Sequence, residues 1–241
     1  TIRTLDLGGD KQLKVDRPGI VKSPGLRAIR YCLRDRELFD TQLRALLRAS
    51  AHGELRLLVP FITSMSEVRR LKRVIAEVRD GLVAKGVKVA DSIPLGFMVE
   101  VPGAALISDT LAAEADFLSV GTNDLIQYTL AIARDDEGVS GLYQPLHPAV
   151  IRLLSMITRA GQDAKIPVTI CGEMAADPRY ALVLLAMGFN ELSMTSSAIP
   201  LVKEVIRRSS LAEAQEILTE IQQMVHAGEI ADYVDSLMVD R

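Results

Sequence analysis

The sequence predicts an α/β fold in which the strands of a parallel sheet alternate with helices. Three short apolar runs support this prediction, because helix-like sequence follows each of them within a few residues; they cover residues 95–99, 117–120 and 166–170. Repeated strand-to-helix units form a parallel sheet, and such folds place their chemistry at its carboxyl edge. The chain has 241 residues, a length that one α/β barrel commonly fills.

The same periodicities place the other elements in chain order. Strands are predicted at residues 55–61 and 191–194, and the end of a further strand at residues 1–6. Helices are predicted at residues 37–51, 66–85, 103–113, 125–133, 148–163 and 179–187, and residues 201–239 are expected to be helical throughout. We therefore expect one domain over residues 1–241, a TIM-type (β/α)8 barrel that lacks its first strands and carries extra C-terminal helices.

The composition argues against several classes of protein. Lys and Arg together number 28 against 31 Asp and Glu, so the formal net charge is −3, which disfavours a general nucleic-acid binder. The two cysteines are too few for a disulfide scaffold, and a reducing cytoplasm is the expected location. We expect neither a signal peptide nor a membrane span, since no apolar stretch is long enough.

Polar residues stand where three of the predicted strands end. They are Glu100, Asn123, Asp124 and Cys171. Because the carboxyl ends of parallel strands meet at one edge of a sheet, we expect these side chains to converge. Magnesium is commonly held by one or two carboxylates together with a substrate phosphate, so Glu100 and Asp124 are its candidate ligands. The alternative is that each carboxylate caps the following helix or forms a salt bridge.

Three arginines, Arg3, Arg27 and Arg134, are candidate ligands for an anionic substrate. The guanidinium group matches the geometry of phosphate and carboxylate, which favours this interpretation. Most arginines of a chain are solvated surface residues, however, and the acidic residues 135–137 offer Arg134 local partners. Position alone therefore leaves both interpretations of these arginines open.

Cys171 is the more specific signal for catalysis. It follows a predicted strand and precedes Gly172 and Glu173, an arrangement that suits a thiol held beside a turn. A thiol there is a candidate acid or base, whereas Cys32 is interpreted as an inert buried group. The three histidines do not cluster. His147 is expected to order a loop or cap the next helix, and no histidine is assigned a phosphoryl-carrier role.

These residues lie in stretches that resemble one known family. The sequence resembles the C-terminal, phosphoenolpyruvate-binding domain of enzyme I, the phosphoenolpyruvate-protein phosphotransferase of the bacterial sugar phosphotransferase system and its nitrogen-related paralogues. The matching stretches, in family order, are Arg3-Thr-Leu-Asp-Leu-Gly-Gly-Asp-Lys11, Leu26-Arg-Ala-Ile-Arg30, Met98-Val-Glu-Val-Pro102, Ser119-Val-Gly-Thr-Asn-Asp-Leu-Ile-Gln-Tyr-Thr129, Tyr143-Gln-Pro-Leu-His-Pro148, Ile170-Cys-Gly-Glu-Met174 and Ser193-Met194. They extend over nearly the whole chain.

The resemblance implies a role for each candidate residue. It implies that Glu100 and Asp124 bind Mg2+, and that Cys171 protonates the enolate left when the phosphoryl group departs. The implied ligands of phosphoenolpyruvate are Arg3, Arg27, Asn123, Asp124 and Arg134. In the family, the phosphoryl group passes to a histidine on a separate N-terminal domain and then to a small HPr-type carrier protein. Pyruvate is released, and the family forms homodimers through this domain.

Departures from the family pattern leave two alternatives open. The family barrel begins with two further strands, one of them ending in Arg-Thr-Glu, and the family segment before Arg27 is longer than the one in this chain. One alternative is a fragment of pyruvate phosphate dikinase or phosphoenolpyruvate synthase, which share the barrel and the enolate chemistry. The other is a non-catalytic paralogue that serves regulation or dimerisation.

Overall fold

The structure is a computed structural model that describes residues 1–7, 25–132 and 140–239. The chain divides into two compact units. The first comprises Thr1–Met98 and Glu114–Asp116, and the second comprises Val99–Ala113 and Phe117–Arg241. Apolar side chains are buried in both units. The single domain expected from the sequence stays a prediction.

The first unit combines parallel strands with helices. Its strands are β1 (Ile2–Arg3), β2 (Leu57–Val59) and β3 (Leu95–Val99), and β3 ends on the first residue of the second unit. Ile2 is in register with Leu57, and Leu57 with Leu95, in parallel pairs. The helices are α1 (Ala28–Arg34), α2 (Arg36–Ala49) and α3 (Met65–Val83), with a 3₁₀ turn at Ser50–His52.

Helix α3 forms because its first turn and its apolar stripe both favour a helix. Ser64 caps it: the Ser64 hydroxyl accepts the Glu67 N–H, and the Glu67 carboxylate accepts the Ser64 N–H, which is a capping box. The residues at helical spacing are buried; they are Val68, Leu71, Val74, Val78 and Leu82. Burial of this stripe fixes which face of α3 lies against the core.

The second unit repeats the strand-and-helix arrangement. Its strands are β4 (Phe117–Gly121), β5 (Val168–Cys171) and β6 (Glu191–Ser193). Gly121 is in register with Cys171, and Cys171 with Ser193, again in parallel pairs. The helices are α4 (Pro102–Leu106), α5 (Ser108–Ala112), α6 (Thr122–Leu130), α7 (Pro148–Ala164), α8 (Glu173–Ala176), α9 (Ala181–Ala186), α10 (Ile199–Arg207), α11 (Leu211–Gln223) and α12 (Ala227–Val239).

Helix α7 begins as its sequence predicts. Pro148 is its first residue, and the Nδ1 atom of His147 accepts the Ala149 N–H at 3.1 Å, so His147 caps the helix. Gly161 allows α7 to lie close to β5, since a Cβ atom at Gly161 would stand 2.1 Å from the Val168 Cγ2 atom. The predicted helix start and the predicted capping role of His147 are confirmed.

The strands expected at residues 95–99, 117–120 and 166–170 are confirmed as β3, β4 and β5, with small differences at their ends. The described residues thus contain six parallel strands alternating with helices, as in part of a TIM-type barrel. None of the helices in these ranges is both long enough and apolar enough to cross a membrane.

Two expectations about helices were wrong, and one helix was missed. The single helix predicted over residues 103–113 is two short helices, because Ile107 leaves the helical conformation (φ −113°, ψ 24°). Helix α1 was not predicted at all. Residues 201–239 form three helices, because Ser210 starts a new capping box with Glu213 and Met224 is extended (φ −79°, ψ 143°).

Candidate active site

The Cys171 thiol lies at the carboxyl end of β5, in the second unit. Cys171 is half-buried, and its Sγ atom donates to the Val120 carbonyl at 3.3 Å. The Ser119 hydroxyl donates to the same Sγ atom at 3.8 Å. The parallel register of β4 and β5 creates these contacts, because it sets Cys171 opposite Gly121. The thiol is therefore held at the place where the sequence predicts chemistry.

A tight turn follows the thiol and rests on the end of β4. We call residues Cys171, Gly172 and Glu173 the Cys171 turn. Gly172 adopts φ 101°, a region that favours glycine, and a Cβ atom there would lie 2.4 Å from the Thr122 Oγ1 atom and 3.0 Å from the Asn123 Oδ1 atom. Only glycine combines this conformation with this close approach.

Two hydrogen bonds join the Cys171 turn to the start of α6. The Thr122 hydroxyl donates to the Cys171 carbonyl at 3.0 Å, and the Glu173 N–H donates to the Asn123 Oδ1 atom at 3.1 Å. Because Oδ1 accepts this N–H, the Nδ2 amide group, which can only donate, is the end of Asn123 suited to a negatively charged oxygen. This orientation supports the predicted place of Asn123 beside a phosphate.

The two predicted magnesium ligands are both residues of the second unit. Asp124 lies in the first turn of α6, where a carboxylate also suits the helix dipole. Glu100 directly follows β3, two residues before α4 begins, and is buried, with 3% of its surface exposed. Helix α4 packs on α6, which places the two segments in the same part of the unit.

The donor set at these positions fits magnesium better than a metal caged by protein alone. Among residues 1–7, 25–132 and 140–239, no three His, Cys, Asp or Glu side chains are grouped so that they could hold a metal ion. Magnesium keeps several waters and needs only one or two carboxylates when a substrate phosphate supplies further oxygens. Glu100 and Asp124 match that requirement in type and number.

Arg27 and Arg3 belong to the first unit. The Arg27 guanidinium binds Asp6 through two hydrogen bonds, Nε to Oδ1 at 3.0 Å and Nη2 to Oδ2 at 2.7 Å, and the two side chains are 1% and 2% exposed. The guanidinium also lies 4.8 Å from the centre of the Phe61 ring. Arg3 is the last residue of β1 and is exposed. Their roles toward a substrate stay predictions.

Arg134, the third predicted anion ligand, lies outside the described residues. Cys32 is buried, as the sequence predicts, and its thiol faces the Leu5 carbonyl at 3.7 Å. Burial, followed by the charges of Asp6 and Asp35, raises the pKa of Cys32 to about 12.

The structure adds residues whose roles the sequence did not reveal. Asp6 orients Arg27, and Thr122 and Ser119 contact Cys171. All three lie within stretches that carry the family resemblance, and this position was the sequence signal that connects them to the site. No local pattern indicated which partner each of them would bind.

The comparison with protein families decides the classification. The family described as "PEP-utilising enzyme, PEP-binding domain" matches residues 1–211 of the chain. The chain belongs to this family. The match covers every described candidate residue in both units, so the resemblance inferred from the motifs is confirmed.

Curated relatives in this family are named phosphoenolpyruvate-protein phosphotransferase. The protein of that name from Geobacillus stearothermophilus is 43% identical over 235 residues, which are 97% of this chain and 41% of the relative. The protein of that name from Priestia megaterium is 44% identical over 237 residues, 98% of this chain and 41% of the relative. The chain thus spans about two fifths of the length of these relatives.

A solved structure supports the fold. A citrate lyase from Burkholderia xenovorans LB400 aligns with a TM-score of 0.53 and 19% sequence identity, over 84% of this chain and 68% of that chain. At this identity the likeness concerns the fold alone.

Proposed function

We propose that the chain is the phosphoenolpyruvate-binding part of a phosphoenolpyruvate-protein phosphotransferase. It binds phosphoenolpyruvate with Mg2+, supports phosphoryl transfer to a histidine on an N-terminal domain, and releases pyruvate. The observation that carries the proposal is the cluster at the start of α6, where Asn123 binds the Cys171 turn and Asp124 follows it in the first turn of the helix. Family membership and the names of the curated relatives support the same reaction.

The substrate-binding residues hold the two anionic groups of phosphoenolpyruvate. The Asn123 amide and the first-turn N–H groups of α6 donate to the phosphate, because a helix N-terminus leaves its first N–H groups without helical partners. Arg3, Arg27 and Arg134 supply positive charge for the phosphate and the carboxylate. Glu100 and Asp124 hold the cation, which, when bound, neutralises charge on the oxygens of the substrate.

The reaction needs little covalent help from the chain. The bond between phosphorus and the enol oxygen breaks while the bond to the histidine nitrogen forms, and the electron pair remains on the enolate. The Cys171 thiol then gives its proton to the methylene carbon, which becomes the methyl group of pyruvate. The resulting thiolate takes a proton from water. The half-buried position of Cys171 serves both proton transfers.

The proposal extends to the larger assembly. The six parallel strands belong to a TIM-type (β/α)8 barrel, and the phosphohistidine of the N-terminal domain passes the phosphoryl group to an HPr-type carrier in sugar uptake. The enzyme is a cytoplasmic homodimer. The two free thiols suit a reducing compartment, and the length of the curated relatives leaves room for the further domains.

Thermal unfolding of the chain with phosphoenolpyruvate, in the presence and absence of Mg2+, tests the proposal. A ligand that binds the folded state at a hundred times its Kd stabilises it by about 2.7 kcal/mol. For a chain of this size we expect the midpoint to rise by about 5–10 °C with both ligands together. Asp124→Asn should remove the magnesium-dependent part of this rise.

Asp109→Asn is the matched control, because Asp109 is an exposed carboxylate in the first turn of another helix of the same unit. It should leave the rise unchanged. Cys171→Ala should also keep the rise, since the thiol acts after binding. A cooperative unfolding transition whose midpoint does not rise when phosphoenolpyruvate and Mg2+ are added would contradict the proposal.

A further inference from the structure

The Cys171 turn is fixed by contacts that the catalytic role of the thiol does not itself require. Thr122 is fully buried, and its hydroxyl donates to the Cys171 carbonyl. The carbonyl belongs to the same residue as the thiol, so this bond restrains the backbone from which the Sγ atom projects. Gly172 then packs directly against the Thr122 hydroxyl. One side chain therefore limits where the thiol lies.

We propose that Thr122 is a positioning residue for the Cys171 thiol. Its hydroxyl holds the end of β5 so that the Sγ atom stays against the Val120 carbonyl, 3.3 Å away, with its proton directed along that contact. The assignment of the thiol as proton donor rests on the proposed function. The mechanical part, that Thr122 restrains the thiol, rests on the geometry alone.

The sequence position of Thr122 explains why it can do this. It is the first residue of α6 and follows directly after β4, so its backbone is held by both a strand and a helix. A hydroxyl mounted on such a rigid point restrains its partner better than one on a loop. By contrast, Gly172 at φ 101° has no side chain, so its own backbone restricts the conformation of the turn very little.

The rate of Cys171 alkylation by iodoacetamide in the full chain, resolved for each thiol by mass spectrometry, tests the proposal. One hydrogen bond contributes about 0.5–1.5 kcal/mol, and its loss favours local opening by the corresponding factor. We expect Thr122→Val, which keeps the shape but removes the donor, to raise the alkylation rate about fivefold. Thr122→Ser, which keeps the hydroxyl, should stay within about twofold of the unmodified chain.

Thr169→Val is the matched control. The Thr169 hydroxyl donates to the Leu118 carbonyl at 3.4 Å, also a bond from a threonine hydroxyl to a backbone carbonyl, but one that joins β5 to β4 two residues before the thiol. We expect Thr169→Val to lower the melting temperature about as much as Thr122→Val while leaving the alkylation rate unchanged. Cys171→Ala gives the background rate of alkylation, because its remaining thiol, Cys32, is only 1% exposed.

The outcomes separate the proposal from a purely structural role. The proposal would be overturned if Cys171 were alkylated at the same rate in Thr122→Val and in the unmodified chain. It would also be overturned if Thr169→Val raised the alkylation rate as much as Thr122→Val does. If Thr122→Val does not fold, Gly172→Ala tests the same contact, since its Cβ atom must displace the turn from Thr122 and raise the rate. An unchanged rate in Gly172→Ala would overturn the proposal as well.

The alkylation experiment contains no phosphoenolpyruvate, so the two proposals fail independently. A thermal rise with phosphoenolpyruvate and Mg2+, together with no effect of Thr122→Val, would remove the positioning role and keep the function. A fivefold effect without any thermal rise would keep the restraint on the thiol and remove its assignment as a proton donor.

Discussion

The two cysteines of the chain occupy opposite environments, one in each unit. Cys32 sits in the middle of α1, 1% exposed, beside a buried ion pair formed by Asp6 and Arg27. Cys171 sits at the end of a strand, half-buried, and its thiol contacts the Ser119 hydroxyl and the Val120 carbonyl. The first environment suppresses ionisation of the Cys32 thiol, and the second leaves the Cys171 thiol within reach of solvent.

The difference lies in how each environment is stabilised. In the first unit a carboxylate and a guanidinium are removed from water together, and each depends on the other. In the second unit the Cys171 turn is held by hydrogen bonds between neutral groups and by the absence of a side chain at Gly172. We therefore expect the surroundings of the Asp6–Arg27 pair to resist local opening. The Cys171 turn is expected to open locally while the rest of the chain stays folded.

The largest expected contrast is the reactivity of the two thiols. At about pH 8 the thiolate is the nucleophile, and a pKa raised from 9.0 to about 12 lowers the thiolate fraction of Cys32 about a thousandfold. Burial slows its alkylation further. Timed iodoacetamide labelling should therefore modify Cys32 at least about a thousandfold more slowly in the folded chain than in the unfolded chain, and the half-buried Cys171 should react well before it.

Labelling in denaturing urea is the control for that contrast, because both thiols are then exposed and should react at similar rates. Comparable labelling of the two cysteines in the folded chain would mean that Cys32 is not enclosed, and the comparison would be wrong.

The next effect is on stability. Asp6→Ala leaves the buried Arg27 guanidinium without its bidentate carboxylate, and breaking such a pair costs about 3–5 kcal/mol. Urea unfolding measures the loss. The matched control is Asp40→Ala, which breaks the partly exposed pair with Arg36 on α2 and should cost less than about 1 kcal/mol. Equal losses of unfolding free energy in the two variants would show that the buried pair stabilises the chain no more than the partly exposed pair does.

Local patterns predicted the elements that position the candidate site. Apolar runs located β3, β4 and β5, and the residues that follow them stand at the strand ends as expected. The start of α7 was also predictable, because Pro148 and the capping residue His147 carry their signals within two neighbouring positions. Such features depend on the residues next to them in the chain.

Features that depend on distant partners could not be predicted in the same way. Asp6 and Arg27 are 21 residues apart, and Thr122 and Cys171 are 49 residues apart. The second pair exists only because β4 and β5 adopt one particular register, and a shift by one residue would turn each side chain to the other face. The break at Ile107 was missed for a related reason, since nothing in the small residues around it marks a helix end.

The smallest of the three effects is a pH dependence carried by Cys32. Its pKa is raised in the folded chain, so below about pH 9 the thiol is protonated in both states and contributes no pH dependence. Above that pH the thiol ionises in the unfolded chain while the folded chain keeps it protonated, which favours unfolding. The stability associated with Cys32 therefore falls as the pH rises from about 9 toward about 12.

Urea unfolding of the chain and of Cys32→Ala at about pH 8 and about pH 10.5 isolates this contribution. Tyrosines and lysines also titrate in this range, but they are common to both proteins and cancel in the difference. We expect the unmodified chain to lose about 2 kcal/mol more than Cys32→Ala between the two pH values. Cys171→Ala, in contrast, leaves Cys32 and its surroundings unchanged, so this variant should keep the loss that Cys32 causes. Parallel losses in the unmodified chain and in Cys32→Ala would remove the charged and buried surroundings of Cys32 as the cause of its protonated state.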